Sequence, residues 1–194
     1  MKVELGCGSS KREGFYGIDI QGEQADLILN IETTELPFDD NSIEYVYCSH
    51  VFEHLKEYPF VLREILRVCS PEAVVEIWTP YGKSNDGLLF GHFNFLTETH
   101  FKHICYEYDR FYLGNSNGYF DWYETHYVLY PGIREQLESM DIPLEFAMEH
   151  MYNIALEWGV FLKVKKNEST KIPQIPCRKY FYGRGNEIKL TENL

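Results

Sequence analysis

The order Lys2-Val3-Glu4-Leu5-Gly6-Cys7-Gly8-Ser9-Ser10, followed by Gly17-Ile18-Asp19-Ile20, constrains this chain more than any other feature in it. One apolar run ends in a glycine-rich turn and a second ends in an acidic residue, the order a nucleoside-binding α/β fold needs. Gly6 and Gly8 let the backbone turn sharply and approach a ligand closely. Asp19, at the tip of the next strand, can accept hydrogen bonds from both hydroxyls of a ribose. The loop departs from the dinucleotide pattern: the third glycine is missing and Glu4 stands just before the turn. A carboxylate there repels a pyrophosphate and suits a ligand whose tail carries an ammonium and a sulfonium.

The next stretch reads as alternating strands and turns. Asp26 to Ile31 is a short strand with a polar cap, and Leu36-Pro37-Phe38-Asp39-Asp40-Asn41-Ser42 is turn chemistry. Ile43 to Cys48 alternates and is rich in β-branched and aromatic residues, so it reads as a strand leading into Ser49-His50-Val51-Phe52-Glu53-His54-Leu55. Leu62, Ile65, Leu66 and Cys69 recur at helical spacing. Ser70-Pro71-Glu72 is a turn, and Ala73 to Trp78 a buried strand closed by Thr79-Pro80.

In this order, residues 2 to 80 resemble the class I S-adenosylmethionine-dependent methyltransferases, the type 11 group in particular. The shared features are the acidic-x-Gly-x-Gly loop, the acidic ribose residue, the leucine-proline-phenylalanine turn and the serine-histidine segment after strand four. The resemblance implies an α/β Rossmann-like doubly wound sheet with closing antiparallel strands, and S-adenosylmethionine as the cofactor. It places Glu4, Gly6, Cys7 and Gly8 at the methionine end, Asp19 on the ribose and Ile20 on one adenine face. Asn30 and Ile31 fall at the adenine edge, and Ser49 and His50 near the methyl group. The chain departs from its relatives in two respects: Pro71-Glu72-Ala73 stands where they usually carry a proline and two glycines, a local change in turn geometry, and the first crossover is short. Only ten residues separate Gly8 from Asp19, where a parallel crossover normally takes about a dozen or more, so the first crossover is expected to be short or irregular.

At 194 residues the length suits one domain: 1–166 as the methyltransferase domain and 167–194 as a tail, or an arm on a neighbouring subunit. The formal net charge of −12 argues against DNA or long RNA, which is met by a basic face. Five scattered cysteines without C-x-x-C pairing read as reduced, and the expected location is cytoplasmic. The sequence holds no apolar run long enough to span a membrane.

Beyond Pro80 the chain turns aromatic. Residues 81–130, with Phe90, Phe93, Phe95, Phe101, Tyr119, Trp122 and Tyr127 among them, also carry His92, His100, His103 and His126. Each aromatic alone is best read as core. The cluster as a whole is expected to form an insertion on the substrate side, a pocket or lid at the carboxyl ends of the strands, where such sheets bind ligands. Leu113 to Tyr130 reads as a strand pair, Pro131 to Met140 as a last helix, and Leu144 to Met148 and Trp158 to Val164 as closing strands. A homodimer through the aromatic segment or the tail fits this arrangement.

Methyl transfer to a hydroxyl requires a general base. His50 is the first candidate, with His92, His100 and His103 behind it. His50, Glu53 and His54 share one helical face and resemble a metal site of some small-RNA and quinone methyltransferases. Glu53 and His54 are nonetheless read as braces for the helix, with no metal expected. The expected acceptor is a small-molecule hydroxyl, a sugar or glycan first, by analogy with surface-polysaccharide enzymes. N- or O-methylation of an aromatic metabolite or quinone is the rival, and a non-catalytic cofactor-binding partner subunit is the alternative of another class.

Overall fold

The computed structural model describes residues 1–167, 173–184 and 187–188. Nine strands form one sheet in the order β3-β2-β1-β4-β5-β7-β6-β8-β9. β1 (Lys2–Leu5), β2 (Tyr16–Asp19), β3 (Leu27–Ile28), β4 (Ile43–Ser49) and β5 (Cys69–Pro80) run parallel to one another. β6 (Gly118–Leu129) and β7 (Ala155–Lys166) close the sheet antiparallel, β7 lying between β5 and β6. The strand order reverses between β1 and β4, which leaves a crevice at their carboxyl ends.

The first crossover has no helix: the chain passes from Leu5 to Tyr16 through turns. The helix between β4 and β5 is α1 (Tyr58–Val68), started by Pro59 in its first turn and burying Val61, Leu62, Ile65, Leu66 and Val68 on one face. Burying each such side chain contributes about 1.5–3 kcal/mol before entropy is charged. Glu64 is also buried. Its carboxylate accepts from the Leu36 amide (2.8 Å) and from both Nε and Nη2 of Arg67 (3.0 and 2.8 Å), pinning the turn before β4 to the helix.

The main core gathers one face of the sheet with side chains from α1 and from α2 (Glu98–Lys102), α3 (Asp109–Leu113), α4 (Ile133–Ser139) and α5 (Leu144–His150). The opposite face holds a smaller cluster of Tyr45, Tyr47, Trp78, Val128, Phe161 and Phe181 with Phe15, all from strands or the β1–β2 loop. Arg12 and Arg184 stack there on Tyr47 and Trp78.

Several expectations are corrected. Leu144 to Met148 is helix α5, because Leu144, Ala147 and Met148 follow an i, i+3, i+4 spacing behind Pro143. Leu113 to Tyr130 holds a single long strand, β6, with a register shift around Tyr123. Ser70 to Glu72 is an irregularity inside β5, where Glu72 takes φ 65° and the pairing with β4 skips. In the segment assigned to a tail, β8 (Cys177–Phe181) pairs parallel with β6 and β9 (Glu187–Ile188) antiparallel with β8.

Candidate active site

The glycine loop takes the shape its residues allow. Gly6 and Gly8 have φ values of +72° and +56°, which glycine adopts without a Cβ penalty. A Cβ on Gly6 would fall 2.1 Å from Val51 Cγ2, so the loop packs directly on the turn after β4. Asp19 Oδ2 accepts from the Gly8 amide at 2.8 Å and Oδ1 from the Gln21 amide at 3.2 Å. The carboxylate thus ties the loop to the tip of β2 while keeping acceptor capacity toward the crevice.

Beside this loop lies a cavity of about 380 Å³ lined by Gly6, Gly8, Asp19, Ile20, Asn30, Ile31 and His50, all seven of them expected from the sequence. Ile18, Leu29, Glu32, Val51, His54 and Leu55 complete its wall. Ile20 stands 61% exposed at the rim, and Asn30 Oδ1 accepts from the Glu32 amide at 3.0 Å in a local turn. Glu4, Cys7 and Ser49 do not line this cavity. Glu4 is buried beneath the loop, where its carboxylate accepts from the Arg12 amide at 2.6 Å. Burial pushes its pKa up, against the pull of that amide and of Arg12 and Lys11. Cys7 is buried, and its thiol is pushed up by burial and then by Asp19 and Glu4. Ser49 Oγ accepts from Arg184 Nη2 at 3.1 Å.

His50 directly follows β4 with φ 55°, in the left-handed region that non-glycine residues rarely occupy. Its amide donates to Trp78 O at 2.8 Å. Nε2 meets Glu157 Oε2 at 3.0 Å and Nδ1 meets Glu53 Oε1 at 3.1 Å. These two carboxylates, Glu157 first, outweigh partial burial and raise the His50 pKa to about 9. Burial alone would raise Glu157, but hydrogen bonds from His50 and from Arg184 Nη2 (2.6 Å) hold it down at about 2. Held between the two carboxylates, with Arg184 Nη2 also 3.1 Å from Nε2, the imidazole is fixed in orientation, and the carboxylates favour its protonated form.

His50 and His54 also line a second cavity of about 380 Å³, with Glu53, Pro80, Asp86, Leu89, His92, Val128, Leu156 and Glu157. His92 is therefore on its wall. His100 and His103 are not: His100 closes a capping box with Thr97 at the start of α2, and His103 pairs with Glu107 at 3.1 Å. The aromatic segment divides in the same way. Tyr81, Phe101, Phe120, Trp122 and Tyr127 are core, with Tyr81 and Tyr127 donating to Glu98 at 3.0 and 2.6 Å. Phe90 and Phe93, which flank His92, are exposed. Glu157, which pairs with His50, and Arg184, which pairs with Glu157 and approaches His50, were not foreseen. They lie 107 and 134 positions from it, and no local pattern marks them.

The family model described as "Methyltransferase domain" matches residues 3–77. Over these residues the chain resembles a class I methyltransferase domain. The cofactor of that family is S-adenosylmethionine. The cavity beside Gly6 and Gly8 fits that molecule by its donor set: an acidic residue at the tip of β2, apolar Ile20 and Ile31, and glycines that leave the floor open.

Solved structures share the fold. A SAM-dependent methyltransferase from Archaeoglobus fulgidus superposes with TM-score 0.55 at 16% identity, covering 84% of this chain and 85% of its own. The YcgJ protein of Bacillus subtilis gives 0.50 at 13%, covering 86% and 92%. The [4+2]-cyclase SpnF gives 0.51 at 13%, covering 86% and 74%. No curated protein sequence matches the chain significantly. Among the described residues, no helix is long and apolar enough to cross a membrane.

Proposed function

We propose that this chain is an S-adenosylmethionine-dependent O-methyltransferase acting on a hydroxyl of a small molecule, a sugar or glycan first. The observation that carries the proposal is the meeting of two cavities at His50 and His54: one beside the glycine loop, the other between β5, β7 and the loop around His92. S-adenosylmethionine, when bound, supplies an electrophilic methyl group on a sulfonium. Gly6, Gly8, Asp19, Ile20, Asn30 and Ile31 would hold it, and His50 stands where the two cavities join. Positioning carries most of the rate in such a displacement. His50 is suited to positioning, being locked by Glu53, Glu157 and the Trp78 carbonyl.

The second cavity offers what a polyhydroxylated acceptor needs. Asp86, Glu157 and His92 present hydrogen-bonding groups in the cavity, and Phe90 and Phe93, outside its lining but close to His92 in the chain, present exposed rings on which a sugar can stack. A flat aromatic metabolite or quinone is the second reading. It is favoured by the exposed apolar run Leu88, Leu89, Phe90 and Phe93.

Calorimetry with S-adenosylmethionine and its demethylated product tests the cofactor step, and both should give saturable heat. No heat with either refutes the reading. A mass-spectrometric product screen over sugar nucleotides, glycans and phenols then tests the acceptor. Cofactor heat with no methylated product would instead favour a non-catalytic binding subunit.

A further inference from the structure

Glu53 is 2% exposed, and its Oε2 is the buried side-chain polar atom without a hydrogen-bond partner among the described residues. A buried carboxylate oxygen left unpaired is costly and calls for a partner. Its other oxygen is taken by His50 Nδ1. Around Glu53 the fold assembles His54, its neighbour in the same short helical turn, and His92, from the loop after β5. One ligand-type atom from each of the three lies within 4.8 Å of the others.

Both imidazoles are oriented for the same task. His54 Nδ1 lies 3.0 Å from the Gly91 carbonyl and His92 Nδ1 lies 3.2 Å from the Gly87 carbonyl. A carbonyl only accepts, so each Nδ1 carries the proton and each Nε2 keeps its lone pair. Metal-binding histidines show this arrangement, the outer hydrogen bond fixing tautomer and ring orientation. The supporting loop is pinned as well: Glu53 O accepts from the Phe93 and Asn94 amides (2.6 and 3.2 Å), and Asn94 Nδ2 donates to the carbonyls of Phe52 and Leu55 (2.9 and 2.6 Å). The donor set therefore rests on a cross-linked scaffold.

We propose that Glu53, His54 and His92 bind a divalent transition-metal cation at the wall of the second cavity. Two imidazoles and a carboxylate suit zinc, iron(II), cobalt(II) or manganese, and three protein ligands leave positions open. Those positions face the cavity assigned above to the acceptor, so on that reading the cation orients and polarises an acceptor oxygen. Sequence spacing did not show the set, because His92 reaches it only through the fold.

The test is a cobalt(II) titration of the tag-free, chelator-washed full chain, followed by its visible ligand-field absorption. One saturable equivalent is expected. His54→Ala and His92→Ala, on exposed and half-exposed positions, should each weaken it on the order of tenfold or more, with Glu53→Gln as the buried, shape-conserving third variant. His150→Ala, on exposed α5, should leave it unchanged. Absence of saturable bands, or wild-type affinity in both histidine variants, overturns the site. Cofactor calorimetry on the same chelator-washed protein separates the two readings. Cofactor heat without cobalt bands removes the metal site alone, and bands without cofactor heat remove the cofactor reading alone.

Discussion

Gly6→Ala is the sharpest test of how the cofactor loop is built. The added Cβ would stand 2.1 Å from Val51 Cγ2. Carbon atoms in contact sit about 3.5–4.0 Å apart, so the neighbour must yield by about 1.4 Å or more. That overpacking costs about 1–3 kcal/mol, and holding an alanine at φ +72° costs about 1–2 kcal/mol more. The expected destabilisation is therefore about 2–5 kcal/mol. The two contributions separate in a double-mutant cycle with Val51→Ala, which removes the clashing methyl group and leaves the backbone strain. Urea unfolding followed through the buried Trp78, Trp122 and Trp158 measures all four corners. A coupling energy of about 1–3 kcal/mol in favour of the double variant is expected. Strict additivity, or a Gly6→Ala protein within about 0.5 kcal/mol of wild type, would refute the close approach of the loop to Val51.

Asp19→Ala should weaken S-adenosylmethionine binding by roughly ten- to a hundredfold in calorimetry, since it removes the proposed ribose acceptor and the anchor of the Gly8 amide; unchanged affinity would put the ribose elsewhere. Glu64 supplies a pH test. Burial raises its carboxyl pKa, but Arg67 and the Leu36 amide outweigh this and hold it below the ordinary 4.5. A carboxyl depressed on folding stabilises the protein above its unfolded pKa and loses that contribution as the pH falls below it. Glu64→Gln should thus cost about 1–3 kcal/mol near neutrality. The gap to wild type should shrink as the pH drops below 4.5, and a gap constant from neutrality to pH about 3 would contradict the assignment.

The cofactor side of the molecule was legible because its signals are local. Gly6, Gly8 and Asp19 lie within one β-loop-β unit, and Asn30 and Ile31 follow the next strand directly, so spacing alone carries them to one cavity. Glu4 shows the limit of that reasoning. Its position in the loop was legible, but the alternation of β1 turns its carboxylate away from Val3 and Leu5, toward Arg12 rather than the cavity. His50 shows another limit: its place after β4 followed from the pattern, whereas its strongest partner, Glu157, and the Arg184 that grips Glu157 are brought in by long-range pairing. The aromatic segment is ambiguous for a different reason. Aromatics fill cores and line pockets equally well, and only the fold separates buried Tyr81 and Trp122 from exposed Phe90 and Phe93. Leu144 to Met148 was misread because five residues are too few to tell a strand from a helical turn by apolar content.

The short first crossover needs a physical account, because two parallel strands are joined across it without a helix to hold them in register. Three carboxylates supply the constraint. Glu4 accepts from the Arg12 amide in the middle of the crossover, Asp19 from the Gly8 amide at its start, and Asp26 from the Gly17 amide at its end. Asp26 also grips Lys11 Nζ with both oxygens, at 2.8 and 2.7 Å. Each carboxylate comes from a strand, or from the edge of one, and each donor is a backbone amide in or beside the loop. The loop is therefore fixed by side chains reaching into it as well as by a few backbone bonds, from Gly6 and Cys7 to the Ile18 carbonyl and from Phe15 to that of Arg12, and the side-chain supports are expected to fail one stitch at a time. Asp26→Ala should speed hydrogen exchange at Gly17, and through the freed Lys11 at the middle of the crossover, while the Gly8 amide keeps its Asp19 partner and its protection. Exchange that accelerated equally at Gly8, Arg12 and Gly17 would show instead that the crossover opens as one unit. The three carboxylates would then not be independent supports.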